Sequence, residues 1–388
     1  MSDGRILLYV QHLLGIGHLA RSSHIATALK RNGLDPVLVT GGVPAPGFPP
    51  AGIAHVALPP LKSSEGFRTL LTGDGEKAPP ALLKERRDRL VGLLHSTQPR
   101  LILIEAFPFG RRQMRFELLA LLEAARGLQP KPIVAASVRD IVQPLVKTGR
   151  EAEVLRTLAL YFDRVLVHGD PQLVRLADSF PAEARIVPPV SYTGLVTGGD
   201  IVPSPEPFDV VVSTGGGAAQ GRLCETALTA RPLTPLADRR WLVITGPNAP
   251  NGLPAALTGK LREGDAVVAF RSDFRGLLAG AQLSISQAGY NTCGDLLRAG
   301  CPAVLVPFAA GGEREQTLRA ERLAERGLAV VVDEASLDGP TLAAAIGRAV
   351  AGGRSSGAGI DLDGAERTAA LIATMISGGR SACSACSS

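Results

Sequence analysis

Apolar residues along this chain gather in short unbroken runs. RILLYV (5–10), PVLVTG (36–41), LILIEA (101–106), PIVAASV (132–138) and RVLVHG (164–169) recur through the first half, most of them bounded by Gly or Pro. Runs of this length without polar alternation mark strands buried on both faces of a parallel sheet. Between them lie amphipathic stretches of helical length, over roughly 18–32, 81–95, 111–126 and 149–161, with Lys or Arg on the outer face. Such alternation predicts βαβ units. It stops at PPVSYTGLVTGGDIVPSPEPF (188–208), which is rich in Pro, Gly and Ser and has no period, so a domain boundary is expected there. A second series follows: DVVVST (209–214), WLVITG (241–246), AVVAF (266–270), QLSISQ (282–287), PAVLVP (302–307) and LAVVVD (328–333). The pattern predicts an α/β chain of two doubly wound, Rossmann-like domains, 1–195 and 205–378, facing an interdomain cleft at the carboxyl ends of their strands. An amphipathic stretch at roughly 363–377 suits either domain, and a disordered tail is expected over 379–388.

Composition narrows the class without naming a partner. The length of 388 residues exceeds what one ordinary core supports, and 45% apolar with 20% charged residues describes a soluble globular chain. No apolar run reaches the 18 or so residues needed to cross a bilayer, and MSDGR lacks a signal-peptide pattern, so a cytoplasmic location is expected. The net charge of +5 suits anionic ligands or an anionic membrane surface. Aromatics at 4%, without basic-aromatic interleaving, argue against nucleic acid. The five cysteines, at 224, 293, 301, 383 and 386, have no paired spacing within the folded region and are read as reduced thiols. The one CxxC, Cys383 to Cys386, lies in the Ser/Ala tail and is read as neither metal site nor redox pair.

The candidate chemistry sits at strand-to-helix turns. Gly15-Ile16-Gly17-His18-Leu19-Ala20 formally matches the dinucleotide fingerprint G-x-G-x-x-[GA]. That site also wants an acidic residue about twenty positions on, at the end of the second strand, where PVLVTGG offers only Thr40. The turn is therefore read as a close backbone approach to another ligand, with His18 in the first helical turn beside the positive helix end. There the ring stays neutral and can take a proton, which makes His18 a candidate base; the competing reading is an ordinary polar residue at a helix start.

In the second half, Ser213-Thr214-Gly215-Gly216-Gly217 follows a strand, and bare amides at such a turn bind phosphate. Gln287-Ala288-Gly289-Tyr290-Asn291-Thr292 opens another helix, which carries Asp295 at a depth suited to ribose hydroxyls. Gly311-Gly312-Glu313-Arg314-Glu315-Gln316 opens a third and offers polar side chains for sugar hydroxyls.

These motifs, Gly-x-Gly-His near the N-terminus, the triple glycine, and SQAGYNTCGDLLRAGCPAVLVPF followed by EREQ, resemble the GT-B glycosyltransferases, and among them the MurG-like enzymes with a family 28 C-terminal domain. The likeness covers about 209–333 well and the first 35 residues moderately. It implies a hexosyltransferase, EC 2.4, with His18 as general base and a donor site made of Gly17, Thr214, Gly215, Gly216, Gly217, Arg271, Gly289, Asn291, Thr292, Asp295, Glu315 and Gln316. Within it, Gly216 and Gly217 meet the diphosphate, Asp295 the ribose, Arg271 the nucleobase, and Glu315 with Gln316 the sugar. Asp295 stands where the family usually carries the longer Glu.

The mechanism so implied is inverting and metal-independent. The nucleoside-diphosphate sugar, expected to be UDP-linked, is a substrate rather than a cofactor, and the other partner is a hydroxyl acceptor on a small molecule, a glycan or a lipid-linked compound. Basic segments at 62–68, 84–89 and 111–117 suit peripheral contact with the inner face of a membrane, while solvated helix faces are the plainer account. Glu105 and Asp140, at strand ends, keep a nucleotide-sugar hydrolase or 2-epimerase as the alternative.

Overall fold

The computed structural model describes residues 4–13, 15–64, 69–144, 148–214, 221–246, 249, 252–309, 312–355, 357 and 359–384, with side chains up to residue 378. The chain divides into two compact units, Met1–Pro171 with Arg175–Val196 and Asp363–Ser388, and Gln172–Val174 with Thr197–Leu362.

Along the first unit run β1 (Arg5–Val10), α1 (Gly17–Arg31), β2 (Asp35–Thr40), β3 (Ala54–Ala57), β4 (Leu61–Ser63), β5 (Leu70–Thr72), α2 (Pro80–Thr97), β6 (Leu101–Glu105), α3 (Arg115–Arg126), β7 (Ile133–Arg139), α4 (Arg150–Tyr161), β8 (Arg164–His168) and β9 (Val190–Tyr192). Seven strands form one parallel sheet in the order β3-β2-β1-β6-β7-β8-β9, and β4 pairs with β5 as a separate antiparallel ribbon. The central strands β1 and β6 are buried from Ile6 to Val10 and from Leu101 to Glu105, as their unbroken apolar runs require when helices cover both faces. Short β3 and the β4–β5 ribbon carry too little pattern to be read in advance, and β9 lies inside the stretch expected to be a linker.

Helix α3 starts later than its apolar period. Arg111 takes a left-handed conformation, φ 54°, and a single 3₁₀ turn over Arg112–Met114 intervenes.

The second unit runs β10 (Val210–Ser213), α5 (Gly221–Ala230), β11 (Trp241–Ile244), α6 (Leu253–Thr258), β12 (Ala266–Val268), α7 (Phe274–Gly280), β13 (Leu283–Ser286), α8 (Tyr290–Ala299), β14 (Ala303–Leu305), α9 (Glu315–Glu325), β15 (Val330–Val331) and α10 (Gly339–Gly352). Its sheet is parallel throughout in the order β12-β11-β10-β13-β14-β15. Counted from its own first strand this is 3-2-1-4-5-6, the doubly wound order in which ligands bind where the connections diverge.

The last helix, α11 (Gly364–Ser384), follows the second unit in sequence yet belongs to the first. Its buried residues Ala365, Ala369, Ile372 and Ile376 recur at helical spacing and join Leu19, Ile25, Ala26 and Leu29 of α1 in one apolar cluster. At the start of the helix, Gly364 lies against the Gly194 carbonyl, and a Cβ there would come within 2.3 Å of that oxygen. The amphipathic stretch that suited either domain thus completes the first one, because α1 presents the apolar stripe it needs. Residues 379–384, expected as tail, continue this helix, and 385–388 lie outside the described residues.

Several basic residues proposed for a membrane face are engaged inside the unit. On α2, Arg86 is fully buried and bonds Glu117 through two nitrogens at 2.9 and 2.7 Å, while Lys84 pairs with Asp88 and Arg89 with Glu85. Arg112 and Arg115 share Glu153 at 3.1 Å each. Residues 65–68 lie outside the described residues.

Ile372 has no solvent exposure in this cluster. Ile372→Ala is expected to cost about 2–5 kcal/mol through lost burial and the cavity left behind. Urea unfolding followed by circular dichroism measures it, and a loss below about 1 kcal/mol would mean that α11 contributes little to the core.

Candidate active site

In the first unit the chain leaves β1 and β6 toward opposite sides, so the loops after these two strands flank a switch point of the sheet. His18 lies in the first turn of α1, just after β1, and Glu105 ends β6. The His18 Nδ1 is 2.9 Å from Glu105 Oε1. Arg21, one turn further along α1, donates to the same carboxylate oxygen, and its Nη2 lies 3.2 Å from His18 Nδ1. Arg21 and Glu105 are almost wholly buried and His18 keeps 16% of its side-chain surface exposed. Ser137 of β7 donates to the second carboxylate oxygen at 2.6 Å.

The charges in this site oppose one another. Burial raises the Glu105 pKa, but the Arg21 guanidinium, His18 and the Ser137 hydroxyl outweigh it and hold the carboxyl well below its ordinary range. His18 is pushed down to about 3, by burial first, then by the Arg111 guanidinium; Glu105 pulls the other way and Arg21 adds to the depression. Arg111 itself is lowered to about 10 by burial and by the neighbouring charge of Arg139. Its place is set by the loop that follows Glu105. Ala106 and Arg111 both adopt positive φ, 64° and 54°, and the Arg111 Nε donates to the Gln11 carbonyl at 2.8 Å. Left-handed non-glycine residues cost free energy and gather where a site demands a fixed geometry. Sequence reading picked out His18 and noted Glu105 only as a carboxylate at a strand end. It missed Arg21, whose signal is its spacing three residues from His18 on the same helical face, and Arg111, which no spacing links to His18.

The residues at the ends of β2 and β7 are held within the unit. Thr40, at the end of β2, has its hydroxyl 2.8 Å from His55 Nε2. Asp140, just after β7, accepts its neighbour's amide, Ile141 N–H, at 2.8 Å.

In the second unit β10 and β13 flank the equivalent switch point. Thr214 follows β10 and donates its hydroxyl to the Thr245 carbonyl at 2.9 Å. Gly215, Gly216 and Gly217 lie outside the described residues. After β13, Gly289 caps α8 in extended conformation, Asn291 and Thr292 occupy the first turn, and Asp295 lies one turn on. This helix start is held from behind: fully buried Arg319 of α9 donates to the Ala288 carbonyl at 3.0 Å and stacks over the Tyr290 ring.

The structure gives three of the expected sugar and base contacts other work. Glu315 is buried and pairs with Arg319 at 3.0 Å. The Gln316 side-chain oxygen accepts the Phe308 amide at 3.1 Å. Arg271 bonds both oxygens of Asp273 at 2.8 Å and Glu206 at 2.7 Å. Glu315 is thus held by Arg319, Gln316 by the Phe308 amide through its oxygen, and Arg271 by Asp273 and Glu206. No group of three or more metal-ligating side chains occurs among the described residues, and none of their helices is long and apolar enough to cross a membrane.

The two sheets and their switch points define the GT-B class of fold, as solved structures bear out. MurG from Acinetobacter baumannii matches with a TM-score of 0.61, over 96% of this chain and 100% of that one, at 15% identity. CalG4, the calicheamicin glycosyltransferase, matches with a TM-score of 0.58 over 98% and 97%, at 18% identity.

Residues 210–356, within the second unit, match the model of the glycosyltransferase family 28 C-terminal domain. Curated relatives are MurG-like. Two are described as UDP-N-acetylglucosamine–N-acetylmuramyl-(pentapeptide) pyrophosphoryl-undecaprenol N-acetylglucosamine transferases. The Methylococcus capsulatus protein is 42% identical over 77 residues, 20% of this chain and 22% of its own length. The Phenylobacterium zucineum protein is 29% identical over 236 residues, 57% of this chain and 62% of its own length. The chain therefore spans less than two thirds of either relative.

Burial pushes the Asp295 carboxyl up to about 7, and the Arg275 guanidinium, 3.6 Å away, counters this only in part. An unfolded aspartate titrates near pH ~4. Between about pH 4 and pH 7 the folded chain then keeps a proton that the unfolded chain has lost, so this carboxyl costs stability as pH rises through that window. Asp295→Asn is expected to raise the melting temperature by about 2 °C or more at pH ~8, and by less at pH ~5. Equal shifts at both pH values would show that Asp295 titrates normally.

Proposed function

We propose that the chain is an inverting, metal-independent glycosyltransferase that moves a sugar from a nucleoside-diphosphate sugar to an acceptor hydroxyl, with His18 as general base. The observation that carries this reading is the His18–Glu105 pair at 2.9 Å. An ionised carboxylate only accepts hydrogen bonds, so the proton of the neutral ring sits on Nδ1 and the Nε2 lone pair is left for the acceptor hydroxyl. In the reaction Nε2 takes the hydroxyl proton as the oxygen bonds the anomeric carbon, and the bond from that carbon to the diphosphate breaks on the opposite face. Glu105 then stabilises the imidazolium.

A base held at about 3 is weak, through burial first and then through the guanidinium charges of Arg111 and Arg21. An anionic substrate group beside them offsets their charge and lets the His18 pKa rise toward the range where proton transfer is efficient. Charge developing on the leaving diphosphate is met, in this reading, by backbone amides of Gly216 and Gly217 and at the start of α8, with Asp295 on the ribose. The helix start supplies positive character, so no metal or cofactor is called for. The names of the curated relatives support UDP-N-acetylglucosamine as donor and a lipid-linked acceptor. An acceptor of that kind would hold the protein at the inner face of the membrane. The hydrolase or epimerase alternative gains no support, since Glu105 is committed to His18 and Arg21.

Thermal shift across nucleoside diphosphates is expected to show stabilisation by UDP that Asp295→Ala abolishes. No shift with any nucleotide would overturn the donor site. With the matching donor and acceptor, His18→Ala is expected to lower turnover about 10²- to 10⁴-fold. Transfer at the unmodified rate would remove His18 from the mechanism.

A further inference from the structure

We infer that Ser137, His168 and Thr193 form with Glu105 a buried, one-way chain of hydrogen bonds that presents His18 with its Nε2 bare, so that Ser137 and His168 are positioning residues for the base. The inference rests on the proposed role of His18.

The chain crosses the carboxyl ends of four neighbouring strands. Glu105 ends β6, Ser137 is its partner on β7, His168 ends β8, and Thr193 directly follows β9. Ser137 Oγ is 2.6 Å from Glu105 Oε2 and 2.8 Å from His168 Nε2, and His168 Nδ1 is 2.8 Å from Thr193 Oγ1. None of the four side chains belongs to a residue more than 2% exposed.

One group fixes every proton in the series. Glu105 can only accept, so Ser137 gives it the hydroxyl hydrogen. The Ser137 oxygen must then accept from His168, which places that ring's proton on Nε2 and leaves Nδ1 to accept from the Thr193 hydroxyl. An imidazolium would break this order, and it is disfavoured: burial pushes His168 down to about 3, Arg21 adds to the effect, and Glu105 opposes it. Burying a serine, a threonine and a histidine costs free energy that apolar residues at the same strand ends would avoid. What the polar series adds is a carboxylate held at both oxygens, Oε2 by Ser137 and Oε1 by Arg21 and His18. Such a carboxylate cannot turn away from the ring it orients. The charged groups facing His18 are Glu105 from β6, Arg21 from α1 and Arg111 from the loop after β6.

The test reads ring protonation directly, by two-bond ¹H–¹⁵N correlation on the full chain labelled at histidine. His18 is expected as the Nδ1–H tautomer and His168 as the Nε2–H tautomer. Finding His18 as Nε2–H, or His168 as Nδ1–H, overturns the inference without any variant. Ser137→Ala is expected to abolish the single-tautomer signature of His18 and to lower kcat for transfer about tenfold or more with donor KM unchanged. Ser137→Thr, which keeps the hydroxyl, is expected to restore both. His168→Gln keeps a donor toward Ser137 and should behave like Ser137→Thr, while His168→Leu should behave like Ser137→Ala. An unchanged His18 tautomer in folded Ser137→Ala overturns the inference. The expected tautomers in a chain that transfers no sugar support the hydrogen-bond series and overturn the transferase reading instead.

Discussion

An ionised carboxylate sealed from water must be surrounded by donors and positive charge, and Glu105 sets that demand for the first unit. Arg21, His18 and Ser137 answer it from α1 and β7. Stripping one partner from a buried ion pair costs about 3–5 kcal/mol, because the survivor keeps its desolvation penalty without compensation. The start of α1 is therefore pinned to the end of β6, and with it Gly17, the first residue of the helix, and Gly15 just before it. The same demand explains why a histidine follows Gly-Ile-Gly: from the first turn of α1 its ring meets the carboxylate at the end of β6.

Fold class was legible because its signals are long and redundant. Unbroken runs such as RILLYV and LILIEA can be satisfied only by burial on two faces, and amphipathic stretches between them supply the cover. Elements that escaped reading are those whose stability is borrowed. Strand β9 has three partly buried residues and exists because β8 offers an open edge. Helix α11 is amphipathic wherever it docks, and only the shape of the α1 stripe decides its partner.

Legibility of the site split along the same line. Glycine turns and the histidine at a helix start are local, so Gly17, His18, Gly289 and Asp295 stand out as candidates from neighbouring residues alone. Arg21, Arg111, Ser137 and His168 are tertiary. Ser137 sits within PIVAASV, where it reads as a polar interruption in a strand, and His168 within RVLVHG, where it reads as a strand end. Glu315 shows what local reading leaves out: it stands next to Gln316, and Arg319 one turn along α9 pairs with it, as an i,i+4 pair on a buried face will. Arg86 misled in the same way, since a run such as KERRDR reads as solvated until Glu117 from another helix is known to face it.

The return of α11 to the first unit also orders events at the ribosome. Domains commonly fold in the sequence in which they emerge. Here the apolar stripe of α1 stays uncovered until residues 365–376 have been made, after every strand of the second unit. The nascent chain thus carries an unfinished first core through the synthesis of a complete second one, and that interval is when a chaperone has most to protect.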